Sequence, residues 1–114
     1  MYNIHCLNKI SPKGTELLTE DYATAEDLEN ADGILVRSAA MHDLELPQSL
    51  LAIARAGAGV NNIPLDKCAE QGIVVFNTPG ANARSVMELA ICGLFLSSRD
   101  IIGGINWVQS IKDN

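Results

Sequence analysis

Apolar positions in this chain fall into short unbroken runs between polar turns, interleaved with stretches of helical spacing. Tyr2–Leu7 reads as a first strand. Ser11 followed by Pro12 suits an N-cap and first helical position, predicting a short helix through Leu18. Asp21–Ala23 is a brief strand, and Thr24 with Asp27 resembles a capping box that opens a helix ending near Asn30. Gly33–Val36, GILV, is then a buried strand closing on Arg37 and Ser38. After the polar turn of residues 39–45, Pro47 predicts the first turn of a helix through Leu51, followed by an apolar strand over Ala52–Ala56. Leu65–Gln71 is helical, with Gly72 as its left-handed stop. Ile73–Phe76, IVVF, is the most strand-like run, β-branched and bounded by Gly72 and Pro79.

The pattern then changes. Ser85 begins SVMELAICGLFLSSR, apolar nearly all round to Arg99, which predicts a helix buried on more than one side. The last stretch, DIIGGINWVQSIKDN, has helical spacing in spite of Gly103 and Gly104, each costing roughly 1 kcal/mol relative to Ala. It reads as a helix leaving the domain, with residues 1–99 as the domain proper and 100–114 as a connecting helix. Continuously apolar strands alternating with helices imply an α/β fold, a mostly parallel sheet covered on both faces in a three-layer sandwich.

Composition narrows the partners. The 114 residues fit one domain, and the formal net charge of −6 is spread without a basic footprint, which excludes nucleic acid and anionic membrane as main partners. No apolar run approaches the roughly 20 residues of a membrane span, and MYNIHCL is no signal peptide, so a cytoplasmic location is expected. Cys6, Cys68 and Cys92 lack metal spacing and read as small buried residues. His5 and His42 have no carboxylate partner in sequence and read as structural, so no metal ligand and no catalytic residue is assigned.

In a parallel sheet, ligands bind at the carboxyl ends of strands. Three polar loops follow strands directly: Arg37–Ser38, GAGVNN from Gly57, and NTPGANARS from Asn77. Arg37 and Ser38 offer a guanidinium and a hydroxyl suited to phosphate, or simply a surface arginine at a strand end. GAGVNN invites comparison with the dinucleotide fingerprint GxGxxG, but its sixth position is Asn62, Pro64 follows, and no long helix starts there. Gly57–Val60 reads instead as an anion nest able to hold a carboxylate on backbone N–H groups, or as a tight turn. Asn82, Arg84 and Ser85 precede the long helix, where Ser85 serves as its cap or the group faces an anion.

The runs LVRSAAM, RAGAGVNNI and GIVVFNTPGANARSVMELA together resemble the N-terminal substrate domain of the D-2-hydroxyacid dehydrogenases, in particular those acting on 3-phosphoglycerate. The resemblance spans nearly the whole chain. It implies a flavodoxin-like domain facing an inserted Rossmann domain that carries the true GxGxxG loop. It further implies that Arg37 and Ser38 contact the substrate's phosphate end, that the backbone at Gly59 and Val60 holds its carboxylate, and that Asn82 bonds substrate. Ala58 lies beside the cofactor, NAD. Asn61 departs from the family's usual Asp. In the family the catalytic Arg, Glu and His and the main nicotinamide loop lie beyond the point matching Asn114. The expectation is therefore a fragment, silent alone, of an enzyme oxidising 3-phosphoglycerate to 3-phosphooxypyruvate in serine synthesis. Its C-terminal apolar face is expected to drive homo-oligomerisation. The alternatives are the same family with another 2-hydroxyacid, or a free-standing flavodoxin-like module binding an anion or a protein.

Overall fold

The structure, a computed structural model, describes residues 1–113 and separates into two compact units, Met1–Pro79 and a second beginning at Gly80. In the first unit five strands, β1 (Tyr2–Cys6), β2 (Tyr22–Ala25), β3 (Gly33–Val36), β4 (Ala52–Arg55) and β5 (Val74–Phe76), form one sheet in the order β2-β1-β3-β4-β5. Every pair is parallel. This α/β topology carries the flavodoxin-like strand order. All strands point their carboxyl ends the same way, so the loops after β1, β3, β4 and β5 share one edge.

The register aligns Ile4, Gly33, Ala52 and Val74 across the sheet, with Ile34 beside Ile53 one position on. Successive side chains face opposite ways, so Ile34, Val36 and Ile53 share a face. They are buried there with Met41, Leu46 and Leu50 from the segment after β3, and with Ile63, Cys68 and Ile73 from around α2 (Leu65–Gln71). Gly72 ends α2 at φ 73°, the left-handed stop expected of it. On the opposite face Val74 and Phe76 are more than half exposed, and the rings of Tyr2 and Tyr22 lie 6.1 Å apart.

Two expected helices are absent. Thr24 belongs to β2, paired with Ile4, because YATA has strand alternation and a parallel neighbour to bond; only a 3-10 turn, Leu28–Asn30, follows it. Pro47–Leu51 makes a single turn closed by Leu50 N–H on the Pro47 carbonyl, as Leu46 and Leu50 are both drawn into the core. Helix α1 covers only Pro12–Thr15, with looser turns through Leu18.

The second unit holds α3 (Ala83–Arg99) and α4 (Ile101–Ile111). Asn82, not Ser85, occupies the N-cap position of α3. Asp100, at φ 43°, breaks the helices apart, and its carboxylate accepts from Gly103 N–H at 3.2 Å to start α4. The first compact unit ends at Pro79, ahead of both helices. The expected burial of α3 is not met: neither helix contains a buried residue. Cys92 is accordingly exposed, whereas Cys68 is buried and Cys6 partly so.

Candidate functional site

At the end of β4 the chain turns through Gly57–Val60, and there every carbonyl is held. Gly57 O accepts from Thr78 N–H at 3.0 Å, Ala58 O from the Asn77 side-chain amide at 2.7 Å, Gly59 O from an Arg55 Nη, and Val60 O from Ile63 N–H at 3.0 Å. A trans peptide points its carbonyl and its N–H in opposite directions. The N–H groups of Ala58, Gly59 and Val60 therefore point away from those partners, and they donate to no group among the described residues. A row of free, fixed donors on an exposed turn is a nest that suits an anion with several acceptor atoms, a carboxylate above all.

The loop after β3 is organised differently. Asn8, just past β1, places its Oδ1 to accept from the N–H groups of Arg37, Ser38 and Ala39 at 2.8, 3.1 and 3.1 Å. Asn62 donates to the Ala39 carbonyl at 2.9 Å, and Arg55 Nε to the Arg37 carbonyl at 2.8 Å. The backbone donors here are taken, so recognition falls to side chains. The Arg37 guanidinium and the Ser38 hydroxyl are exposed, and among the described residues Arg37 has no ion-pair partner; the ion pair found there joins Arg84 to Glu88 at 3.5 Å. An uncompensated guanidinium next to a hydroxyl fits a phosphate or second carboxylate.

The sheet thus brings Arg37, Ser38, Ala58, Gly59 and Val60 to one edge, linked through Arg55. Asn82 belongs to the second unit, where its carbonyl accepts from Val86 N–H at 3.0 Å and its side chain makes no cap bond. Beside the nest a groove of about 830 Å³ is lined by His42, Gly59, Val60, Ile63 and Lys67, among others. There the His42 Nε2–H donates to the Asn61 carbonyl and Lys67 Nζ to the Leu44 carbonyl, each at 2.8 Å. Asn8 and Asn77 escape sequence reading because each works through partners distant in the chain, as does Arg55 toward Arg37; the one local signal is Arg55 standing at a strand end against a glycine turn.

Residues 57–62 do not form a dinucleotide cradle, since Pro64 intervenes and α2 starts only at Leu65. Ala58, at the outer face of the turn, is exposed. Among the described residues no cluster of metal-ligating side chains occurs, and no helix is long and apolar enough to cross a membrane.

Residues 4–108 match the family described as D-isomer specific 2-hydroxyacid dehydrogenase, catalytic domain. The chain belongs to this family. It is similar to a hydroxypyruvate reductase from Thermotoga maritima, with 40% identity over 111 residues, covering 84% of the chain and 36% of the relative. Among solved 2-hydroxyacid dehydrogenases it resembles the NADPH-dependent glyoxylate/hydroxypyruvate reductase of Sinorhizobium meliloti, solved with citrate. The TM-score is 0.81 at 25% identity, over 97% of this chain and 39% of that one. It also resembles an NAD+-bound 3-phosphoglycerate dehydrogenase of Entamoeba histolytica, with TM-score 0.67 and 28% identity over 83% and 38% of the two chains. The chain spans less than two fifths of each of these dehydrogenases.

Proposed function

We propose that residues 1–99 are the substrate-binding part of a nicotinamide-dependent D-2-hydroxyacid dehydrogenase, and that 100–114 connect it to a cofactor domain. The observation that carries this reading is the nest: three N–H groups, Ala58 to Val60, whose peptide planes are fixed by three bonded carbonyls, Gly57 to Gly59. In this role Gly59 and Val60 hold the substrate carboxylate, Arg37 and Ser38 its phosphate end, and Asn82 a further substrate oxygen. Ala58 touches the cofactor. The chain's part in catalysis is orientation, presenting the carbon that bears the hydroxyl with its two ends anchored. The cofactor, NAD by resemblance, supplies the hydride acceptor when bound.

The substrate assigned is 3-phosphoglycerate, oxidised to 3-phosphooxypyruvate at the start of serine synthesis, because Arg37 is an unpaired cation beyond the nest. The likeness to hydroxypyruvate and glyoxylate reductases favours a second reading, a short 2-hydroxy or 2-oxo acid without phosphate. Two-dimensional NMR of the labelled chain, titrated with 3-phosphoglycerate and with lactate, separates them. Shifts at Ala58–Val60 and at Arg37–Ser38 with phosphoglycerate alone are expected; shifts confined to Ala58–Val60 with both acids favour the second. The 114-residue chain by itself is expected to form no NADH from 3-phosphoglycerate and NAD in an absorbance assay.

A further inference from the structure

We propose that Arg55 is a positioning residue that ties the two anion-binding loops together and sets the orientation of the donors facing the substrate. This rests on the reading of the site given above. Arg55 ends β4 and is half-buried, with its side chain bonded to the backbone of both loops. Its Nε donates to the Arg37 carbonyl at 2.8 Å, and one Nη donates to the Gly59 carbonyl. The turn wraps the guanidinium closely. A Cβ on Gly57 would come within 3.3 Å of Nε, and one on Gly59 within 3.0 Å of Nη1.

Peptide planarity gives these two bonds their meaning. With Gly59 O drawn to Arg55, the N–H of Val60 must face the opposite way, into the opening. With Arg37 O drawn to the same guanidinium, the N–H of Ser38 faces Asn8, which receives it at 3.1 Å. One side chain therefore sets two peptide planes, one in each loop. The bonds also carry charge. A cation on Gly59 O polarises that peptide and makes the Val60 N–H a stronger donor toward an anion. Arg55 thus acts on the substrate's carboxylate through the backbone, without touching it, and fixes the spacing between the carboxylate and phosphate ends. Lysine would keep the charge but lacks the planar fork that reaches two carbonyls at once.

The test uses the 114-residue chain, labelled with 15N and 13C, and 3-phosphoglycerate as probe. The wild type, Arg55→Lys and Arg55→Ala are titrated, the last also with millimolar ethylguanidinium. Expected is a loss of about tenfold or more in affinity for Arg55→Ala, little recovery in Arg55→Lys, and return of the Val60 amide shift when ethylguanidinium fills the gap. A purely structural role would not show that rescue. An Arg55→Ala chain that keeps its β3 and β4 amide shifts and binds as the wild type does overturns the proposal. Should Arg55→Ala not fold, the wild type decides: a scalar coupling through the hydrogen bond from Arg55 Nε to the Arg37 carbonyl is required, and its absence overturns the role. A wild type that does not respond to phosphoglycerate refutes the functional reading itself, and Arg55's role falls with it.

Discussion

At the scale of residues, the loops after β3 and β4 are held in place by side chains that bond their backbone from behind. Asn8 shows the dependence most simply, since one oxygen serves three consecutive N–H groups. Asn8→Ala leaves all three to water or to nothing, and a loss of about 1–3 kcal/mol in urea unfolding is expected. Gly59→Ala forces a methyl against Arg55 Nη1; shifts at Val60 and Ser38, rather than global unfolding, are the expected NMR outcome. The thiols give a separate check. Burial pushes the Cys68 thiol upward, against a smaller opposing effect of the Lys67 charge, and burial raises Cys6 as well. Exposed Cys92 should therefore be alkylated by iodoacetamide well before Cys68, as followed by mass spectrometry. Because the folded thiols bind their protons more tightly than the unfolded ones, their contribution to stability is complete below the ordinary value of 9.0 and is lost as pH rises through and above it. A glycine-rich turn after β4 was legible from GAGV alone, but the bonds that hold its carbonyls were not, since Asn77 reaches it from the loop after β5 and Arg55 bonds both this turn and the loop after β3.

At the scale of elements, legibility followed how strongly a segment's own pattern outweighed its neighbours. GILV and the IVVF run are continuous, β-branched and bounded by turn residues, and β3 and β5 appear there, β5 starting one residue late at Val74. Leu65–Gln71 ends where Gly72 allows φ 73°. Gly72→Ala meets no steric neighbour yet must hold a left-handed backbone, so a loss of about 1 kcal/mol is expected in thermal or urea unfolding. Thr24 and Pro47 misled for the same physical reason: a cap residue or a proline licenses a helix, but the choice was made by pairing with β1 in one case and by core burial of Leu46 and Leu50 in the other. Helix α3 shows the converse. Its length and type follow from SVMELAICGLFLSSR, while its covering does not, and Leu89 and Leu94 are 73% and 68% exposed.

At the scale of the whole molecule, the fold was legible because strands alternating with helices leave few ways to build a sheet, and right-handed crossovers leave fewer. The placement of apolar surface was not, because pattern identifies which residues avoid water but not what removes them from it. With Leu94, Phe95, Trp107 and Val108 all more than half exposed, the chain is expected to self-associate as concentration rises, read by sedimentation velocity, and to bind a hydrophobic dye. Leu94→Lys with Trp107→Lys should return it toward monomer. The sheet bears on how such assembly can proceed. Its outer strands are β2, of four residues, and β5, of only three. Another strand laid along β5 would gain a very short ladder, too little to offset the ordering of its own backbone. Particles formed by this chain should therefore be soluble, helix-mediated and reversible on dilution, without the fibrous cross-strand growth that a long bare edge would seed.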